Sequence, residues 1–344
     1  MIKLNTLKDV DLENKRILLR LDLDVPLENG QIVDDSRLVA SLDTLNLLFK
    51  NFGNVIIAGH LGRPSGFDQK LSLAPIASWF AEKFQGELTK GRLGEFDGWK
   101  IKENLFILEN LRFYKGEEEN DPAFSQTLAS LADIYINDAF AVSHRAHSSV
   151  VGVTKFLPHY AGLRLEKEVS VLSAVLENPK RPLIIVIGGA KIETKLPLVK
   201  KMNSFADTLL VGGKIAMELK DVLSNKQDQL GEGKSKLLIA DSDDTGKDIT
   251  QKSAADFSEA MENGATIVWN GLMGVVEEGF EDGTKIVAQG IINSSAYSVV
   301  GGGDTIGYLA KIGIFDKFSF VSMGGGAMLE FLAGDSLPGL EALT

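Results

Sequence analysis

Apolar, β-branched runs punctuate this chain, and the segments between them carry apolar residues at helical spacing. In the carboxyl half the runs begin near Leu183, Thr208, Lys236, Thr266, Tyr297 and Phe318. Between them lie helix-period stretches such as residues 282–292, Asp-Gly-Thr-Lys-Ile-Val-Ala-Gln-Gly-Ile-Ile. The amino half repeats the pattern at Arg16–Asp22, Asn54–His60, Asn104–Glu109 and Ile134–Phe140. Strands that alternate with helical segments predict parallel sheets covered by helices on both faces. Leu165, Val169, Leu172, Val175 and Leu176 keep three-to-four spacing, the stripe of an amphipathic helix, which Pro179 and Pro182 end. The pattern predicts an α/β protein of two doubly wound, Rossmann-like parallel-sheet domains joined by that helix. The first domain is drawn at 1–164, the connector at 165–182 and the second domain at 183–330. A tail over 331–344 is free to return to the first domain.

Two runs of the second domain end alike. Ser298-Val-Val-Gly-Gly-Gly-Asp304-Thr305 and Ser319-Phe-Val-Ser-Met-Gly-Gly-Gly-Ala327 each close a strand with three glycines and then open a helical stretch. Such turns bring the backbone close to a ligand, and the helix that follows aims unpaired N–H groups and a positive dipole end at an anion such as phosphate. A third strand-to-helix turn, Val186-Ile-Gly-Gly-Ala-Lys191-Ile-Glu-Thr-Lys195, adds two lysines four residues apart.

In open α/β sheets ligands bind beyond the carboxyl ends of the strands. The first amino-half strand is followed by Arg20, Asp22 and Asp24, and then by Arg37 at a helix start. His60 and Arg63 follow the second, Arg112 the third, and His144, Arg145 and His147 the fourth. The chain has a net charge of −11, so arginines gathered at strand ends are notable. Arginine's planar fork matches phosphate and carboxylate, which points to a pocket for a small, multiply charged anion. The histidines are not expected to hold a metal, since the arginines beside them repel a cation. Glu117-Glu118-Glu119 reads as a solvated loop.

The acidic balance argues against nucleic acid as a partner. There are no cysteines, which excludes disulfides and thiolate metal sites and suits a reducing, cytoplasmic setting. No apolar run is long enough to span a membrane, and the amino terminus shows no secretory signal. No Ser-base or Cys-His arrangement stands out, and neither the Gly-x-x-x-x-Gly-Lys-Ser/Thr loop nor a protein-kinase catalytic loop occurs. An anion pocket facing a polyphosphate cradle fits phosphoryl transfer, in which the protein positions two groups and neutralises charge.

The motifs, in order, are Arg20-x-Asp-x-Asp-Val-Pro26, Asp35-Ser-Arg37, His60-Leu-Gly-Arg-Pro64, Glu109-Asn-Leu-Arg112, Tyr135-Ile-Asn-Asp-Ala-Phe140 and His144-Arg-Ala-His-Ser-Ser149. Gly188-Gly-Ala-Lys191, Val268-Trp-Asn-Gly271, Gly301-Gly-Gly-Asp-Thr305 and Gly324-Gly-Gly-Ala327 follow. Together they resemble phosphoglycerate kinase over nearly the whole chain. The resemblance implies reversible transfer between ATP and 3-phosphoglycerate, giving ADP and 1,3-bisphosphoglycerate. It also implies dependence on Mg²⁺ and a monomer of two lobes that close by hinge motion.

The same resemblance implies that Arg20, Asp22, Leu23, Asp24, Arg37, His60, Leu61, Gly62, Arg63, Arg112 and Arg145 bind phosphoglycerate. Lys191, Lys195, Gly212, Gly213, Asn270, Glu277, Gly302, Gly303, Asp304 and Thr305 would bind the nucleotide, with Asp304 on Mg²⁺. Arg37, Lys191, Lys195, Gly302 and Gly325 would serve the transfer itself. The acceptor carboxylate is ionised at neutral pH, so no general base is required. The alternative is a catalytically silent protein of the same fold that binds a phosphometabolite; a second is a kinase of that fold acting on another phosphorylated carboxylate.

Four departures from the family pattern stand out. Asp24 replaces Asn and is expected to weaken anion binding unless an arginine neutralises it. Leu272-Met273 replaces Pro-Pro and is expected to loosen the loop toward Glu277. Met323 replaces Thr, removing a hydroxyl near a phosphate cradle. A segment is missing between Gly213 and Asp243, and the family's glycine-rich adenine wall becomes Gly212-Gly213-Lys214.

Overall fold

The structure, a computed structural model, describes residues 2–50, 53–190, 192–224 and 233–344. It divides into two compact units, one of residues up to Val171 with Ser336–Thr344, the other Leu172–Asp335. The division falls inside the helix Leu163–Glu177, between the boundaries drawn from sequence.

The strands of the first unit are β1 (Arg16–Arg20), β2 (Leu27–Glu28), β3 (Gln31–Ile32), β4 (Asn54–Ala58), β5 (Thr89–Leu93), β6 (Phe96–Lys102), β7 (Leu105–Leu108), β8 (Ile134–Asn137) and β9 (His159–Ala161). Seven form one sheet in the order β5-β6-β7-β4-β1-β8-β9, and β2 with β3 makes a separate antiparallel ribbon. Strands β7, β4, β1, β8 and β9 pair in parallel. The sheet is not purely parallel, however, because β5 and β6 add an antiparallel edge. The chain runs outward from β1 to β4 and β7, then returns to β8 on the other side of β1. The space past the ends of β1 and β8 is therefore the switch point where a doubly wound sheet opens a crevice. The core packs Ile17, Leu19, Ile57, Phe80, Ile107 and Ile136 around this sheet. The carboxyl-terminal segment joins this unit through backbone bonds: Gly339 N–H donates to the Ser143 carbonyl (2.8 Å), and Asn5 N–H to that of Leu343 (2.9 Å).

The second unit carries β10 (Leu183–Ile187), β11 (Thr208–Val211), β12 (Lys236–Ile239), β13 (Thr266–Asn270), β14 (Tyr297–Gly301) and β15 (Phe320–Ser322). All pair in parallel, in the order β12-β11-β10-β13-β14-β15. Strands β10 and β13 are buried along their whole length, which is why they read as continuous apolar runs without alternation. Counted within the unit the order is 3-2-1-4-5-6, that of dinucleotide-binding sheets, with its switch point between β10 and β13.

Candidate active site

In the second unit a cavity of about 500 Å³ opens at that switch point. Its walls include Gly189 after β10, Gly213 and Lys214 after β11, Asn270 and Gly271 after β13, Gly302–Thr305 after β14 and Gly325–Gly326 after β15. The helix Gly303–Lys311 begins behind Gly302, whose φ of 102° suits glycine alone, and carries Asp304 in its first turn. The helix Gly326–Ala333 begins the same way behind Gly325. Both helix starts therefore turn free N–H groups toward the cavity, as an anion requires. Thr305 joins the turns: its buried Oγ1 accepts the Gly271 N–H at 3.1 Å and keeps its own proton for a ligand.

Lys195 comes from the helix Ile192–Phe205 and is only 9% exposed. Its Nζ donates to the carbonyl of Gly188 (2.5 Å) and to Oδ1 of Asn270 (3.0 Å), with the Asn270 carbonyl at 3.4 Å. Burial pushes the ammonium down to about 8, against the pull of Asp304. A desolvated cation held by neutral acceptors is poised to gain from an arriving phosphate. Gly271 must be small at this point, since a Cβ would meet the Gly188 carbonyl and lie 2.5 Å from Lys195 Nζ. Exposed Glu277 lines the same cavity, and Gly212 is buried just behind Gly213. Lys191 lies outside the described residues. Lys247 and Asp248 also line the cavity, from the turn after β12, and went unnoticed in sequence. The strand-end rule applied to β12 would have found them.

Two departures from the family pattern have structural consequences. Leu272 and Met273 are buried, not loose. The Leu272 carbonyl accepts the Gly189 N–H at 2.8 Å, and Met273 N–H donates to Thr284 Oγ1 at 3.0 Å, a bond that proline could not make. Beside buried Met323, Ser322 keeps a hydroxyl at the start of the second glycine turn, accepting the Gly324 N–H at 3.2 Å.

In the first unit the residues at the ends of β1, β4, β7 and β8 form one electrostatic group. Half-buried Arg37 donates from Nη1 to the Asp24 carbonyl at 2.9 Å, and Arg112 donates to the Gly62 carbonyl at 2.6 Å while its Nε lies 3.2 Å from Glu118. Asp24 is not a stray charge. One carboxylate oxygen accepts the Gly62 N–H at 2.9 Å and the other lies 3.9 Å from His60 Nε2, so it shapes the His60-Leu-Gly-Arg loop. Asn110 clamps the base of that loop through the carbonyls of Leu61 (2.7 Å) and Leu71 (2.9 Å). Leu23 and Leu61 are buried side chains.

Buried Asp22 accepts the Ala141 N–H at 3.1 Å with one oxygen, while the other has no hydrogen-bond partner among the described residues. Burial raises its pKa against the attraction of Arg37 and Arg20. A buried acceptor left open next to arginines suits a ligand hydroxyl. The surroundings of His60, His144 and His147 favour the neutral imidazole. Burial first, then the nearby arginines, lowers His60 well below its usual range and brings His144 and His147 to about 4. Among the described residues no cluster of three or more His, Asp or Glu could hold a metal ion. Arg63 and Arg145 are exposed and lie close enough to influence His144.

Two sequence expectations change. Arg20 is not an open pocket cation: it is fully buried, and three of its five donors go to Ser149, the Leu21 carbonyl and His60. Glu117 is not solvated: it is fully buried, because its carboxylate receives both the N–H and the O–H of Ser149.

A family model for phosphoglycerate kinase matches residues 7–236 and 220–335. The chain belongs to the phosphoglycerate kinase family. A relative described as phosphoglycerate kinase in Dictyoglomus turgidum is 37% identical over 385 aligned positions, which cover 98% of this chain and 97% of the relative. One from Finegoldia magna is 38% identical, covering 98% of both. Solved structures agree: that of phosphoglycerate kinase from Coxiella burnetii superposes with a TM-score of 0.82 at 34% identity, covering 99% of both chains. The crystal structure from Pyrococcus horikoshii gives 0.84 at 31%, covering 98% of both. The two stretches matched by the family model meet at residues 220–236, inside the interval where the sequence lacks a family segment.

Proposed function

We propose that this chain transfers the γ-phosphoryl group of ATP reversibly to the carboxylate of 3-phosphoglycerate, giving ADP and 1,3-bisphosphoglycerate. The observation that carries this reading is the chemistry of the two crevices. One is a glycine-turn cleft at a sheet switch point, holding a desolvated lysine and two exposed carboxylates, Glu277 and Asp304. The other is an arginine-lined loop cluster whose histidines are uncharged.

Phosphoryl transfer asks for position and charge neutralisation, and a carboxylate acceptor needs no base. Arg37, Arg63, Arg112 and Arg145 supply cations for the phosphate and carboxylate of phosphoglycerate, and Asp22 offers its open oxygen to the hydroxyl. The N–H groups behind Gly302 and Gly325 cradle the nucleotide phosphates, and Thr305 can donate to them. Glu277, on the cleft wall, takes the ribose, and Lys195, freed from its carbonyl partners, follows the charge of the moving group. Asp304, a lone carboxylate at a helix start, fits a Mg²⁺ ion that takes the rest of its shell from phosphate and water. That ion would neutralise phosphate charge when bound. Lys191 is assigned to the nucleotide on the family pattern. The protein is expected to act as a monomer in the cytoplasm. Among the described residues no helix is long and apolar enough to cross a membrane.

A coupled assay tests this: ADP should appear from MgATP only when 3-phosphoglycerate is added. Phosphoglycerate binding without turnover would favour the silent alternative.

A further inference from the structure

Glu117 lies 97 positions along the chain from Arg20, yet the two are joined by a continuous hydrogen-bonded line through Ser149. The Glu117 carboxylate accepts the Ser149 hydroxyl at 2.6 Å and the Ser149 N–H at 3.0 Å. The same hydroxyl accepts Arg20 Nε–H at 2.9 Å. Tyr135 fixes the serine from the other side, its hydroxyl donating to the Ser149 carbonyl at 2.6 Å. At the far end Arg20 Nη2 lies 2.9 Å from His60 Nδ1. Arg20, Glu117, Ser149 and Tyr135 are all fully buried.

The donors and acceptors along this line leave one arrangement. A serine hydroxyl has a single proton, which Ser149 donates to Glu117, so its lone pair takes the arginine N–H. Arginine can only donate, so His60 Nδ1 must accept. A neutral imidazole that accepts at Nδ1 carries its proton at Nε2. That nitrogen points to the side of Asp24, 3.9 Å away, and the loop that Asp24 shapes.

We propose that Glu117, through Ser149 and Arg20, is a positioning residue that fixes His60 as an Nε2–H donor toward the phosphoglycerate site. The proposal rests on the phosphoglycerate reading for its functional half. Two facts support its chemistry. Both Glu117 oxygens accept hydrogen bonds from Ser149, the pattern of a carboxylate; burial raises its pKa, and the Arg20 charge and these two bonds pull the other way. His60 lies well below its usual range through burial and the Arg20 and Arg112 charges, so it stays neutral and its tautomer matters. A neutral donor can meet an anionic oxygen without a second desolvated cation beside Arg20.

The test is long-range ¹H–¹⁵N correlation of histidine-labelled protein, with His60 assigned from the His60→Gln spectrum. The native protein without ligand should show the Nε2–H tautomer at neutral pH; an Nδ1–H signal overturns the proposal outright. Glu117→Gln replaces one acceptor with a donor, and Ser149→Ala removes the link with the least change in volume. Each folded variant should lose the single tautomer. Each should also raise KM for 3-phosphoglycerate about tenfold, leaving KM for ATP within about twofold. An unchanged His60 signature or phosphoglycerate KM in a folded variant overturns it. The tautomer is read without turnover, so failure of the kinase reading would leave that half of the result standing.

Discussion

Lys195→Met should make the protein more stable and nearly inactive. The ammonium is held down from 10.5 to about 8 by burial. At about 1.4 kcal/mol per unit, keeping it charged at this buried position costs about 3 kcal/mol. Methionine has a similar unbranched shape and no charge. Its gain is reduced by about 1–2 kcal/mol because the Gly188 carbonyl and Asn270 Oδ1 lose their donor. A net stabilisation of about 1–2 kcal/mol at pH 7 remains. The pH dependence gives the sign. The folded protein binds this proton less tightly than the unfolded chain, so native stability rises with pH from about 8 toward 10.5. The variant lacks that rise, so its advantage should shrink across the same window. Turnover should fall at least about a hundredfold, since the cation is lost from the transition state. Urea unfolding at several pH values, paired with turnover at saturating substrate, reads both. A variant less stable than native at pH 7, a difference flat with pH, or near-normal turnover would refute the reasoning.

Asp24→Asn keeps an acceptor for the Gly62 N–H but removes a charge, so KM for 3-phosphoglycerate should fall, and less so at high salt. Asp24→Ala loses the loop bond and should raise KM; a rise in both would show that the charge itself is needed. Met273→Pro, although it restores a family residue, removes the N–H that Thr284 accepts and should cost about 1–3 kcal/mol in urea unfolding. An unshifted midpoint would mean that this bond contributes nothing. Asp304→Ala should cut Mg²⁺-dependent turnover more than binding of metal-free ADP. Calorimetry of Mg²⁺ into the nucleotide-free protein should find no micromolar site; such a site would displace Asp304 from its role.

The second sheet was legible because its central strands are buried on both faces and write uninterrupted apolar runs. The hairpin of β5 and β6 was not. Residues 89–93, Thr-Lys-Gly-Arg-Leu, lie largely exposed at a sheet edge and carry no period that separates strand from loop. Strand ends located the cluster around His60 and Arg112 and the turn bearing Lys195, because the switch-point rule depends only on strand order. It could not tell a cation facing the crevice from one supporting it. Arg20 sits at a strand end like the others, yet its fork is used within the core. Likewise three successive glutamates look alike in sequence. What buries Glu117 and leaves Glu118 and Glu119 exposed is a serine 32 positions away, and a contact that distant leaves no local mark. Asp24 was expected to weaken anion binding unless an arginine neutralised it; the Gly62 N–H that it accepts is a backbone group brought in by the fold and has no local mark in the sequence.

The central claim is that the phosphoryl acceptor is a carboxylate, and trapping the product tests it most directly. Incubation with MgATP, 3-phosphoglycerate and hydroxylamine should yield the hydroxamate of the glycerate, since hydroxylamine attacks an acyl phosphate. Formation should stop in Lys195→Met. ADP release with no hydroxamate would mean that the phosphoryl group went elsewhere, and no ADP release at all would mean that the fold serves binding alone.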